Sequence, residues 1–205
     1  MKRSLFSIFF VGILGMSALQ ANEKSGVFIG ADIGFAMNSG SGSVDAGDYG
    51  SAKSVTVVFN MSYGVRAGYQ QYFGNYNGLR LYGNFNYLHF GSDAMMKYGA
   101  NLDYLLNFSD SDSPWGIFAG VGYEWVGGEA KDSLSKSKQS AIEGRTIATD
   151  GLLVNVGFSK IINNHNRIEF GAKIPLYNYD KIETPIVKAT THTLATVYVA
   201  YSYSF

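Results

Sequence analysis

The 205-residue sequence carries sixteen Lys and Arg against sixteen Asp and Glu, and it has no Cys. Balanced charge argues against a nucleic-acid partner, and the lack of Cys excludes a disulfide framework, thiolate metal sites and cysteine catalysis. With 25 Gly, 15 Tyr and 14 Phe but only three Pro, the composition favours extended structure.

At the N-terminus, Lys2 and Arg3 precede an uncharged run from Leu5 to Leu19, which gives way to the polar stretch Gln20 to Lys24. This layout predicts a secretory signal peptide over residues 1–21, cleaved after Ala21. The run is shorter than the roughly 20 apolar residues of a spanning helix. The mature chain, 22–205, is then one domain. It holds fourteen basic and sixteen acidic residues once Lys2 and Arg3 are removed. No later run is long and apolar enough for a transmembrane helix.

Beyond the signal, side chains alternate with period two in eight segments. In "GVFIGADIGF", Val27, Ile29, Ala31, Ile33 and Phe35 oppose Gly30, Asp32 and Gly34. "VVFNMSYGVRAGYQ" sets Val57, Phe59, Met61, Tyr63, Val65 and Tyr69 against Asn60, Ser62, Gly64, Arg66 and Gly68. "LRLYGNFNYLHF" sets Leu79, Leu81, Phe85 and Tyr87 against Arg80, Tyr82, Asn84 and Asn86. In "KYGANLDYLLNF", Tyr98, Leu102, Tyr104 and Leu106 oppose Gly99, Asn101, Asp103 and Asn107. "WGIFAGVGYEWV" sets Trp115, Ile117, Val121 and Trp125 against Gly116, Gly120, Gly122 and Glu124.

The sixth, "LLVNVGFSKI", opposes Leu152, Val154, Val156 and Phe158 to Asn155, Gly157 and Ser159. The seventh, "RIEFGAKIPLY", opposes Ile168, Phe170 and Ile174 to Arg167, Glu169, Gly171 and Lys173. The last, "TLATVYVAYSYSF", gives Val197, Val199, Tyr201, Tyr203 and Phe205 one face and Ala200, Ser202 and Ser204 the other.

Most of these strands match the roughly 9–11 residues that cross a bilayer at a tilt. A soluble β-sandwich also alternates, but its second face is solvated. Here that face mixes Gly with Asp32, Arg66, Arg80, Asp103, Glu124, Glu169 and Lys173. Small residues and opposite charges suit the inside of a narrow closed barrel. Connections alternate too: residues 70–78, 109–114 and 163–166 form short turns, whereas 36–54, 128–149 and 178–191 form longer polar loops, with a shorter link at 91–96. An even strand count with short turns on one side predicts an eight-stranded antiparallel transmembrane β-barrel of outer-membrane type.

The apolar face of each strand then meets lipid, and the last strand pairs with the first. Tyr69, Phe73, Tyr76, Phe108, Trp115 and Phe158 are expected near the periplasmic rim, and Phe35, Tyr87, Trp125 and Tyr177 in the outer girdle. Phe205, with Tyr203 and Tyr201, resembles the signal by which the barrel-assembly machinery recognises its substrates.

The stretches "YGVRAGYQQYFG" (63–74), "NGLRLYGNFNY" (77–87), "YGANLDYLLNF" (98–108), "GIFAGVGYEW" (116–125), "NHNRIEFGAKIPL" (164–176) and "YVAYSYSF" resemble the Helicobacter outer membrane protein family. That family includes adhesins and porins, so the resemblance implies a barrel in the cell outer membrane. Its adhesive members carry a large exposed domain, for which this mature chain has no room. No binding residues carry over.

Eight strands leave an interior that side chains fill. The inward charges are therefore expected to form a paired plug, with a narrow ion path along Arg66, Arg80, Asp103, Glu124 and Lys173 as the alternative. An enzyme acting on outer-leaflet lipid is a more distant reading. It rests on His89 beside Ser92 and Asp93, which proximity alone does not make a triad. His165 and His192 fall toward opposite ends, so no metal site or cofactor is predicted, nor is catalysis. In the loop 128–149, Lys131, Lys136, Lys138 and Arg145 are candidate contacts to lipopolysaccharide or a partner. The sequence thus predicts a structural or adhesin-like surface role. Its expected partners are outer-membrane lipids, the assembly machinery and an extracellular ligand, but not nucleic acid.

Overall fold

The computed structural model describes residues 24–45, 50–90, 93–139 and 144–205. The predicted signal peptide, 1–21, lies outside the described residues. Among the described residues ten strands form, in chain order: β1 (Gly26–Asp45), β2 (Ser51–Tyr72), β3 (Asn77–Phe90), β4 (Asp93–Asn107), β5 (Trp115–Gly127), β6 (Arg145–Ile147), β7 (Asp150–Ile162), β8 (Asn166–Pro175), β9 (Asp180–Glu183) and β10 (Val187–Ser204). One helix, α1 (Glu129–Gln139), lies between β5 and β6.

Eight of the strands close an antiparallel barrel in the order β1-β2-β3-β4-β5-β7-β8-β10, and β10 pairs back onto β1. Closure is dictated by lipid, where no backbone N–H or C=O can be left without a partner. The closing ladder runs from Phe28↔Ser204 to Val44↔Val187. Alternation is maintained around the wall. Ile29, Phe35, Val65, Leu81, Tyr98, Trp115, Phe170, Val199 and Tyr201 stand exposed outside, whereas Asp32, Arg66, Arg80, Asp103 and Glu169 are buried inside.

The short turns fall where predicted, although the first is tighter than 70–78 because Gln70 to Tyr72 still pair with β3, which resumes at Asn77; β5 resumes at Trp115 and β8 at Asn166. Asn163 and Asn164 take positive φ in the last of these turns, a conformation their short polar side chains tolerate. The long connections differ from the expectation. Residues 36–54 are mostly strand, because β1 and β2 continue paired to Asp45↔Ser51. Residues 128–149 contain α1 and β6, and 178–191 contain β9 and the start of β10. Period-two signal fades there because both faces turn polar, yet the ladder persists. Above the barrel, β2, β1, β10, β9 and β6 thus make one sheet.

A bulge accompanies this extension. Met37 faces Ala195 and Asn38 faces Thr193, so Leu194 has no partner on β1. The shift turns Thr193 inward, where its hydroxyl donates to Asn38 Oδ1 at 2.7 Å. Asn38 Nδ2 in turn donates to Asn60 Oδ1 at 2.9 Å.

Among the described residues, two apolar clusters pack in the interior. Tyr72, Leu105, Phe118, Ile161, Tyr198 and Ala200 pack toward the turn end. Ala36, Leu88, Met95, Val126 and Tyr179 pack at the loop end, where Ala130 and Leu134 of α1 cover the mouth. Tyr177 departs from its predicted place in the outer girdle. It is half-buried and turned into the mouth, where its ring meets Tyr179 edge-on at 5.4 Å.

The facing glycines Gly157 and Gly171 make room for the interior rings. A Cβ on Gly171 would stand 2.7 Å from the Tyr198 ring and 2.9 Å from that of Phe118. Gly171→Ala is therefore expected to cost about 1–3 kcal/mol through overpacking. Urea unfolding of the lipid-reconstituted barrel checks this, and Tyr198→Leu in the same chain should recover part of the loss.

Candidate functional site

In a barrel this narrow, function resides in the bore or in the surface above the membrane. The bore is built by alternation, since every second residue of each strand points into it. Glu169 on β8 is the centre of its charge network. The carboxylate accepts from Arg66 Nη1 at 2.8 Å and also from Arg80 Nη1. Arg66 Nη2 donates to Asp32 Oδ2 at 3.2 Å, and Arg80 Nη2 to Asp103 Oδ2 at 2.7 Å. Asn86 Nδ2 donates to Asp32 Oδ1 at 2.7 Å. All these side chains are buried.

Aromatic rings complete the packing. The Arg80 guanidinium lies 5.0 Å from the Tyr82 ring centre and 5.2 Å from that of Phe118. Arg66 lies 4.8 Å from the Tyr198 ring centre. These distances place both cations over negative ring faces, which suits charges removed from water.

Of the seven predicted inward charges, the structure joins Asp32, Arg66, Arg80, Asp103 and Glu169. Glu124 lies apart, nearer the loop end, and accepts from Lys97 Nζ at 3.2 Å and from the Tyr177 hydroxyl at 2.8 Å. Lys173 Nζ donates to Asn86 Oδ1 at 3.2 Å. Between these groups is a void of about 10 Å³, roughly one water's room, bordered by Leu88, Pro175 and Tyr198 as well as by the charges. The sequence reasoning missed Lys97, and it set Arg167 on the inward face without counting it among the network charges. Arg167 Nε stands 4.0 Å from Glu169, and its Nη2 donates to the Tyr72 hydroxyl. The signal was present: Lys97 shares the parity of Asn101 and Asp103, and Arg167 that of Glu169.

The loop-end candidates divide. Lys131 and Lys136 are exposed on α1, and Lys138 lies on the same helix. Arg145 is half-buried and forms an ion pair with Asp180, tying β6 to β9. That hydrogen bond raises the pKa of the guanidinium. α1 is fastened to the start of β4, where Ser133 Oγ donates to Asp93 Oδ2 at 2.6 Å and Glu129 Oε2 accepts from the Ala94 amide at 3.2 Å. Asp93 therefore serves α1. Ser92 and the side chain of His89 lie outside the described residues.

At the turn end, Tyr201, Tyr203 and Phe205 are exposed on the lipid face, and Tyr203 meets Phe205 edge-on at 5.2 Å. His165 stacks on Tyr203 at 5.8 Å. His192 pairs with Ser39 in the loop-end sheet, so the two histidines stand at opposite ends. Among the described residues, no three His, Cys, Asp or Glu side chains converge on a metal position.

Removing the carboxylate charge at Glu169 leaves Arg66 with Asp32 alone and Arg80 with Asp103 alone, and takes from the buried Arg167 its carboxylate neighbour. Glu169→Gln is expected to lower stability by about 3–5 kcal/mol. Its urea midpoint in lipid, read beside the exposed Glu183→Gln as reference, checks this.

The sequence profile of the Helicobacter outer membrane protein family matches residues 64–205. No curated protein matches the chain in sequence. Among solved structures, the chain is similar to Neisserial surface protein A, at 16% identity and a TM-score of 0.46, over 88% of this chain and 98% of that one. It is also similar to the outer membrane protein OprG from Pseudomonas aeruginosa, at 17% identity and a TM-score of 0.46, over 88% and 96%. A third is the outer membrane enzyme PagL, at 9% identity and a TM-score of 0.44, over 85% and 99%.

Proposed function

Because the chain belongs to the Helicobacter outer membrane protein family and lies in the cell outer membrane, we propose that it is a plugged, non-enzymatic barrel acting through its extracellular surface. The observation that carries this reading is the filled bore. Arg80, Glu169 and Asp103 are at most 1% exposed and lie across the interior, with aromatic rings packed against them. An ion crossing there would have to break paired, desolvated charges, which costs several kcal/mol.

The extracellular end offers what the bore lacks. Strands continue beyond the barrel, and α1 covers the mouth with Ala130 and Leu134 while presenting Lys131 and Lys136 outward. This arrangement supports a structural or adhesin-like role at the cell surface, with lipopolysaccharide headgroups or an extracellular ligand as contacts. Residues 1–21 serve as the export signal in this reading, and Tyr201, Tyr203 and Phe205 serve delivery to the barrel-assembly machinery.

Planar-bilayer recording of the folded protein, with Glu124→Gln and Arg66→Gln beside it, tests the plug. Silence from wild-type protein over long recordings is the expected result. Reproducible conductance altered by either substitution would make the bore the functional site and overturn the proposal.

A further inference from the structure

β2 leaves one edge open above the membrane. Its ladder with β3 extends only from Tyr72↔Gly78 to Ser62↔Leu88. Its ladder with β1 continues to Ser51. Among the described residues, Ser51–Met61 therefore has a strand on one side only. Pairing with β3 stops next to the Tyr63–Tyr87 pair, close to the outer aromatic girdle. Val55 lies eight residues beyond Tyr63, roughly 20 Å higher for a tilted strand. The open edge thus begins about where hydrocarbon ends, as it must.

Sheet edges exposed to water are normally blunted by charge, proline or a bulge. This one reads SAKSVTVVFNM, with Lys53 its one charge and no proline. Its register with β1 is unbroken from Gly26 to Asp45. Val55 is 70% exposed and Phe59 64%, with Val57, Val58 and Met61 also exposed. A long, flat, apolar edge of this kind is a template for another strand.

We propose that this edge pairs antiparallel with the same edge of a second copy held in an apposed membrane, so that the protein joins surfaces to one another. The inference rests on the surface-interaction reading and names its partner. Self-complementarity selects the second copy. About a two-fold axis at Val57, Val55 faces Phe59 of the other copy, Thr56 faces Val58, and Lys53 faces Met61. No like charges meet, and apolar side chains line both strands.

Direction selects the apposed membrane. Every copy in one membrane runs β2 from the extracellular end toward the periplasm, and a two-fold axis along the membrane normal preserves that sense. Antiparallel self-pairing needs one copy turned end over end. A facing membrane supplies that copy, and a neighbour in the same membrane does not. The interface is isologous and closes on itself, so it joins copies in pairs.

Charge exchange at the two-fold position tests the proposal. The full protein is reconstituted in phosphatidylcholine vesicles carrying donor or acceptor dye, and clustering is read as energy transfer between vesicles. Wild-type vesicles should cluster with one another and ignore protein-free vesicles. Val57→Lys against itself, or Val57→Glu against itself, sets like charges directly opposite, and clustering should fall about tenfold. Mixing Val57→Lys vesicles with Val57→Glu vesicles should restore it.

Heat-modifiable electrophoretic mobility confirms that each variant is folded, the site being exposed. Clustering with protein-free vesicles, or failure of the mixed pair to recover, would overturn the proposal. Absence of wild-type clustering from folded, electrically silent protein would overturn homotypic pairing alone. Conductance would instead sink the surface reading beneath it.

Discussion

Hydrocarbon cannot hydrogen-bond a peptide group, and the rest of this structure follows from that constraint. A sheet that enters lipid must close, and eight tilted strands close with little space inside. Side chains of every second residue then have to be packed into that space. The chain meets the demand with glycine where a ring crosses, as at Gly157 and Gly171, and with arginine where a flat, multiply donating group can be surrounded by acceptors. Glu169 is central because one carboxylate answers two guanidinium groups arriving from β2 and β3. The network thereby links β8 to strands on the far side of the bore, contacts that no neighbouring ladder provides.

Two kinds of interior follow in sequence up the bore. Near the turn end, charges are neutralised by one another and sealed by aromatic rings. Toward the mouth the packing loosens around Lys97, Glu124 and Lys173, where the void holds a single water's volume. α1 then closes the top with apolar side chains. A barrel destined to conduct would place its polar groups along a continuous path. Here an apolar cluster closes the loop end, and the rings of Tyr72, Phe118 and Tyr198 interrupt the polar groups toward the turn end.

How much of this could be read from the residues depends on where alternation was sharp. Within lipid, the contrast between outer and inner faces is enforced by two different media, so strands such as Trp115–Gly127 and Asn166–Pro175 stood out. The inward position of Arg66, Arg80 and Glu169 followed from parity alone. Their particular partners did not, because which acid meets which arginine depends on barrel stagger. Lys97 was within reach of the same parity and was passed over, and Arg167 was set inward without being joined to the network. Above the membrane, water wets both faces and the contrast disappears. Asn38 to Asp45 therefore looked like loop although it is strand, and Tyr177 looked like girdle although it points inward to Glu124.

That same loss of contrast marks where recognition can occur. In lipid the backbone is committed to its neighbours, and in the bore Arg66, Arg80, Asp32, Asp103 and Glu169 are committed to one another. Among the described residues, the wall stops closing above the girdle: β3 pairs with β2 up to Ser62, while β1 carries β2 onward. The strand that leaves the barrel thus keeps one half of a sheet's hydrogen bonding satisfied and offers the other half to water. Extension of β1, β2 and β10 beyond the membrane is costly in ordering entropy and gains nothing for membrane insertion. Its physical consequence is a rigid edge held at a fixed height and direction by the barrel beneath it. In the proposed pairing, a strand held in that way would discriminate partners by polarity of approach before any side chain is compared.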